Sequence, residues 1–118
     1  MKVQLGDGEV RLRVDEDEFA RLLDGEAIVC RTPLPAGAWE VRARAVEDEG
    51  ASIAGSALAP EMRLPRALLL DYRMRLPCRE GVVASIASGV GPTLTVRFEV
   101  DVRDSIRVRG AVARRRDG

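Results

Sequence analysis

The alternation of apolar and polar residues predicts β-strands from the start of the chain. Residues 1–5 are followed by the turn sequence Gly6-Asp7-Gly8 and by the segment Glu9–Val14, in which every second residue is apolar. Two such segments joined by a glycine-containing turn are typical of a β-hairpin. The second strand should therefore have an apolar and a basic face: Val10, Leu12 and Val14 against Arg11 and Arg13.

A short helix is predicted after this hairpin, because the apolar residues change from alternation to helical spacing. Asp15 is a natural N-cap, and the acidic residues that follow it suit the positive end of a helix dipole. Phe19, Leu22 and Leu23 form the apolar stripe, and Gly25 is expected to end the helix in a left-handed conformation. The acidic run is thus interpreted as a helix start and not as a metal site.

The pattern of apolar, polar and turn-forming residues in the middle of the chain predicts four more strands and a second helix. One strand spans Glu26–Leu34, and the next spans Ala38–Val46, with Trp39 on its apolar face. Residues 51–64 are divided into two short strands around Gly55. The second helix spans Arg66–Tyr72, with Pro65 expected at its first helical position, where the missing N–H is not needed.

The last third is again rich in strands. A strand is predicted over Val82–Ala87, and a long one over Thr93–Arg103, which alternates strictly between apolar and polar residues. A further alternating segment begins at residues 106–109, and residues 114–118 form a basic tail. A single domain over residues 1–113 follows. The fold class is α+β, mostly β: a largely antiparallel sheet of about seven or eight strands, curled into a sandwich or partly closed barrel, with two short helices.

Composition narrows the class of protein. The chain has 118 residues, of which 46% are apolar and 32% charged, so it is neither a disordered nor a membrane protein. Its start lacks the apolar region of a secretion signal, which indicates a cytoplasmic protein without a membrane partner. The chain contains no histidine, which excludes most zinc frameworks and histidine-based catalysis, and no cofactor is predicted.

The two cysteines do not form a recognisable motif. Cys30 and Cys78 are far apart in the sequence, and in a protein without a secretion signal they are interpreted as reduced, partly buried thiols. A disulfide between them is the alternative.

The net charge of zero hides an uneven distribution. Residues 1–61 carry 13 acidic and 7 basic side chains, and residues 62–118 carry 6 and 12. Apart from Lys2, every cation is an arginine. Arginine presents a planar fork of donors that fits carboxylate or phosphate groups. The candidate anion-binding residues are the arginines at alternating strand positions: Arg11, Arg13, Arg42, Arg44, Arg97, Arg103, Arg107 and Arg109, with Arg63 at a similar position.

Several motifs resemble a family of small uncharacterised bacterial proteins that carries a domain-of-unknown-function label. The motifs are the start M-K-V-Q-L, the strand V-R-L-R-V at 10–14, the helix start R-L-P-R-A-L at 63–68 and the strand L-T-V-R-F-E-V-D at 94–101. The resemblance implies a compact cytoplasmic β-rich domain and no catalytic residues. The chain departs from the family after Arg103, where arginines become frequent.

The R-L-R strand also resembles that of triphosphate-handling barrels, which bind anions in a tunnel. If the arginines point inward, hydrolysis of a phosphate anhydride is an alternative function, with Glu99 and Asp101 as metal candidates. Those enzymes begin with alternating glutamates, whereas this chain has Lys2-Val3-Gln4. If the arginines point outward, they either pair with carboxylates on the same faces, such as Glu40, or bind nucleic acid.

The sequence therefore predicts a non-enzymatic module that works through protein contacts or self-association. Anion or nucleic-acid binding is the main alternative, and phosphate-anhydride hydrolysis is the third. Scarce aromatic residues count against nucleic acid.

Overall fold

The computed structural model describes residues 1–78, 80–87 and 91–101, and this part of the chain contains eight strands and two helices. Their order follows the predicted order throughout. The elements are β1 (Lys2–Gly6), β2 (Glu9–Val14), α1 (Glu16–Leu23), β3 (Ile28–Leu34), β4 (Gly37–Val46), β5 (Ser52–Gly55), β6 (Pro60–Pro65), α2 (Arg66–Arg75), β7 (Val82–Ile86) and β8 (Leu94–Val100).

The strands form two open sheets, which confirms the predicted fold class. The first sheet has the order β1-β2-β8-β7 and the second the order β3-β4-β6-β5. Each consists of two antiparallel hairpins, and the inner strands of those hairpins, β2 with β8 and β4 with β6, pair in parallel. The predicted antiparallel pairing thus holds for the hairpins but not for the centre of either sheet. Turn signals between consecutive strands define hairpins and do not determine how separate hairpins join.

One apolar core unites the two sheets and both helices. The alternating apolar residues of β2 and β8 are buried, as predicted, and Leu12 and Phe98 have no exposed surface. Val41 of β4 and Leu64 of β6 belong to the same cluster of buried side chains. In the described part of the chain, no polar or charged residue is buried. The core therefore lies on the apolar face of each sheet and leaves the arginines on the opposite face.

The helices contribute aromatic side chains to this core. The rings of Phe19 from α1, Tyr72 from α2 and Phe98 from β8 form a triad with centroid separations of 5.7–6.3 Å. The Tyr72 hydroxyl accepts a hydrogen bond from the Val100 N–H at 3.0 Å. Burial raises the pKa of Tyr72 above its ordinary value. This tyrosine thus ties α2 to the end of β8.

The start of α1 confirms the predicted helix cap. The Asp15 carboxylate accepts from the Glu18 N–H at 2.7 Å, and Glu18 accepts from the Asp15 N–H at 3.1 Å, which is a reciprocal capping box. Glu18 also contacts the amino group of Met1 at 2.5 Å. Gly25 follows the helix with φ of 98°, as expected for a left-handed terminator.

Some element boundaries differ from the predicted ones. The helix α2 reaches Arg75, three residues beyond the predicted end, and Pro65 is the last residue of β6 and the N-cap of α2, not its first helical residue. Proline fits both positions because its fixed φ suits a strand end as well as a helix start. The last described strand ends at Val100, and the segments predicted at 102–103, 106–109 and 114–118 lie outside the described residues.

We expect replacement of Gly55 by alanine to destabilise the fold by about 2 kcal/mol or more. Gly55 has φ of 86°, and a Cβ there would lie 2.3 Å from the Ala59 carbonyl oxygen. Gly50→Ala is the matched control, because a Cβ at Gly50 meets nothing within 4 Å. Urea unfolding followed by circular dichroism should show a lower midpoint for Gly55→Ala alone, and equal midpoints would contradict the structure.

Replacement of Tyr72 by phenylalanine should cost about 1–3 kcal/mol, because it leaves the Val100 N–H without its partner. The matched control on the same helix is Met74→Ala, since Met74 is 82% exposed and its removal should change the free energy of unfolding by less than about 0.5 kcal/mol. Equal stability of Tyr72→Phe and the unmodified chain would refute the role given to this hydroxyl.

Candidate functional site

The predicted arginines that lie in the described part of the chain divide between the two sheets. Each lies next to buried residues along its strand and therefore points away from the core. The first arginine face, on the first sheet, consists of Lys2, Glu9, Arg11, Arg13, Arg97 and Glu99. The second arginine face, on the second sheet, consists of Arg31, Glu40, Arg42, Arg44, Glu61 and Arg63. The predicted Arg103, Arg107 and Arg109 lie outside the described residues.

The parallel strand pairs place like charges opposite one another. Arg11 is the register partner of Arg97 in the first sheet, and Arg44 is that of Arg63 in the second. Like charges at opposed positions are destabilising unless a carboxylate lies between them. The adjacent register positions supply one in each sheet: Glu99 opposite Arg13, and Glu61 opposite Arg42.

On the second arginine face, each glutamate bridges two arginines. The Glu61 carboxylate accepts from Nε of Arg63 at 2.8 Å and from Nε of Arg44 at 3.1 Å, one through each oxygen. Glu40 also accepts through separate oxygens, from Arg31 at 3.0 Å and from Arg42 at 3.4 Å. Both oxygens of each carboxylate are therefore paired with arginines of the same sheet.

The arginines lower the pKa of both carboxyl groups on this face. The hydrogen bond from Arg63 is the main cause that holds the pKa of Glu61 below its ordinary value, with Arg44 as a smaller cause. For Glu40 the hydrogen bond from Arg31 is the main cause of the lowered pKa, followed by that from Arg42. The shorter contact has the larger effect in both cases.

The first arginine face is built in a related way. Glu99 lies 3.1 Å from Arg13 and 3.4 Å from Arg11, again through separate oxygens. Arg97 pairs with Glu9 at 2.5 Å. Within the described part of the chain, the ion pairs of both faces stay within their own sheets.

Each face keeps an excess of positive charge. Four cations and two carboxylates give each a formal charge of +2. Each arginine offers five N–H donors and uses only part of them on a neighbouring glutamate. The arginine side chains remain 35–63% exposed, so the unused donors are open to a ligand.

The described structure does not have the tunnel that phosphate-anhydride hydrolysis would need. The two sheets are open, and the interior between sheets and helices is apolar. Glu99, one of the two predicted metal candidates, is occupied by Arg11 and Arg13. Among the described residues, no group of three or more acidic or cysteine side chains could hold a metal ion.

A cavity opens beside the first arginine face. Its volume is about 430 Å³, and it is lined by residues 1–4 together with Arg11, Arg13 and Cys30. A smaller cavity of about 210 Å³ lies along the same hairpin and shares Gln4 and Arg11 with the first. The cavities thus place open space against the cations of β1 and β2.

The remaining candidates have structural roles. Trp39 packs against the core as predicted, and its Nε1–H donates to the Ala57 carbonyl at 3.1 Å. Cys30 and Cys78 are both half-buried free thiols and are not joined to each other. Neither helix of the described part of the chain has the length or apolar character that crossing a membrane requires.

Four residues of the faces were not predicted as part of a site: Lys2, Glu9, Arg31 and Glu61. Glu9 and Glu61 each alternate with arginines along or across a strand, and Arg31 follows the same alternation on β3. This alternation along the strands was the sequence feature that could have identified these residues. It was not sufficient, because the partners of Glu61 are set by the pairing of β4 with β6.

Comparison of the chain with models of protein families, with curated proteins and with solved structures finds no match. The resemblance to the family of small bacterial proteins therefore stays a prediction.

We expect the pKa of Glu61 to rise more in Arg63→Gln than in Arg44→Gln, since Arg63 supplies the larger part of the lowering. A carboxyl group whose pKa is depressed in the folded state stabilises the fold above its ordinary pKa, and this contribution is lost as the pH falls through the folded value. Carbon-13 NMR titration of the glutamate carboxyl groups measures the shift. Arg73→Gln on α2 serves as the control, and an unchanged Glu61 titration in both face variants would contradict the geometry.

Proposed function

We propose that the chain is a non-enzymatic binding module that presents its second arginine face to an acidic segment of a protein partner. The observation that carries this proposal is the incomplete neutralisation of the face. Four arginines share two carboxylates, which leaves a formal charge of +2 and unused guanidinium donors at the surface. A carboxylate-bearing segment complements both the charge and the planar donor geometry.

The glutamates of this face favour binding by holding the arginines in place. Glu61 fixes Arg44 and Arg63 through their Nε atoms, so the terminal nitrogens of both half-exposed guanidinium groups are not used in these bonds. Ordering a long side chain on binding costs about 0.5–1.5 kcal/mol, and prior fixation reduces that cost. The second arginine face is therefore a preorganised surface.

The surroundings of the face favour a protein over a nucleic acid. Val29 is 44% exposed and, by strand alternation, lies on the same side as Arg31, so the face combines arginine with apolar surface, as protein interfaces do. Single-stranded nucleic acids bind through aromatic stacking. All four aromatic residues of this chain are buried in the core or pack against it: Phe19, Trp39, Tyr72 and Phe98.

The proposal is tested with fluorescein-labelled poly-L-glutamate as the acidic probe and single-stranded RNA as the rival, both at low salt by fluorescence anisotropy. Arg42→Gln with Arg44→Gln should weaken binding of poly-L-glutamate by roughly tenfold or more, equivalent to about 1.4 kcal/mol. This pair is chosen because Glu40 and Glu61 each keep a second arginine.

Arg73→Gln is the matched control, because it removes an exposed arginine of α2 outside both faces. It should leave the affinity within about twofold of the unmodified chain if binding is local to the face. Undetectable binding of poly-L-glutamate at low salt, or equal loss in Arg73→Gln, would refute the proposal. Tighter binding of RNA than of poly-L-glutamate would support the nucleic-acid alternative instead.

A further inference from the structure

We propose a second binding site, for a small phosphate monoester, in the cavity beside the first arginine face. This site lies on the other sheet from the proposed protein-binding face and does not depend on it. The cavity of about 430 Å³ falls within the range of about 300–1,000 Å³ that is usual for small-molecule sites. That volume exceeds what inorganic phosphate needs and leaves room for an organic group.

The cations of the cavity form a compact block on two paired strands. Lys2 of β1 is the register partner of Arg13 of β2, and Gln4 is that of Arg11. All four residues line the cavity, and strand alternation places their side chains on one face. Three cations and one amide thus line one side of the cavity, and such a set of donors suits a phosphoryl group.

The charge of this block matches a phosphate monoester. Together with Glu99, the carboxylate that contacts Arg11 and Arg13, the three cations have a formal charge of +2. A phosphate monoester carries about −1.5 to −2 at neutral pH. The contact of Arg11 with Glu99, at 3.4 Å, is the longest ion pair of the first arginine face. Arg11 can therefore turn toward a ligand at little cost.

The rest of the lining gives the ligand an orientation. Met1 and Val3 line the cavity and pack against the core, so this side suits a neutral, partly apolar organic group. The adjacent smaller cavity is lined by Glu9, whose carboxylate makes that side less favourable for an anion. The phosphoryl group should consequently lie at the end formed by Lys2 and Arg13, away from Glu9.

Cys30 lines the same cavity and serves as a built-in reporter of its occupancy. Cys78→Ala removes the other cysteine and leaves Cys30 as the single thiol of the chain. The rate of Cys30 alkylation by iodoacetamide, a neutral reagent, is measured by mass spectrometry with and without phenyl phosphate. We expect millimolar phenyl phosphate to slow alkylation at least fivefold, and benzoate, which has a single charge, to slow it less than twofold.

Three variants in the Cys78→Ala background assign the effect to the proposed residues. Lys2→Gln with Arg13→Gln should abolish protection, and Glu99→Gln should strengthen it by removing the competing carboxylate. Arg97→Gln is the matched control, because Arg97 belongs to the same face but does not line the cavity. In this variant, phenyl phosphate should protect Cys30 as well as it does without the Arg97 change.

Three results would overturn the proposal. These are alkylation that millimolar phenyl phosphate does not slow, equal protection by benzoate, and full protection in a folded Lys2→Gln, Arg13→Gln variant. If the double variant fails to fold, Glu99→Gln still tests the proposal, because it should increase the protection of Cys30 by phenyl phosphate. Binding of poly-L-glutamate to the second arginine face is measured separately, so failure of either proposal is distinguishable from failure of the other.

Discussion

The parallel pairing of the inner strands is the constraint on which the rest of the structure depends. It joins β2 to β8 across most of the chain and aligns Leu12 with Phe98 on the core side. The same register necessarily aligns Arg11 with Arg97 on the opposite side. A shift by one residue would move arginines into the core and apolar residues to the surface, so burial of the apolar set specifies the register. The geometry of the arginine face is thus a consequence of core packing.

This constraint creates an electrostatic problem that the glutamates resolve. Arg44 and Arg63 are opposed in the second sheet, and Glu61 lies between them with one oxygen bonded to each. Exposed ion pairs contribute at most about 1 kcal/mol each, so these contacts do not explain the stability of the fold. Their effect is to allow a dense set of arginines on one surface and to fix their orientations. The surplus charge that remains is available for binding.

The sequence predicts the local part of this arrangement well. The hairpin at Gly6-Asp7-Gly8, the cap at Asp15 and the alternating strands all depend on residues close together in the chain, and each was predicted near its observed position. The sequence does not reveal that β2 pairs with β8, because the register of distant strands depends on the whole core. For the same reason it could not divide the arginines between two faces or identify Glu61 as a shared partner.

The two faces have equal formal charge but different surroundings, and this difference determines which ligand suits each. The arginines of the second face lie on and beside its inner strands, with Val29 exposed beside them, which favours a broad macromolecular contact. The first face includes Lys2 on the edge strand β1 and Arg11 on β2, and both border a cavity. Cations that line one open cavity suit a small anion. Charge alone would not distinguish the faces, whereas the apolar surface beside the second face and the cavity beside the first do.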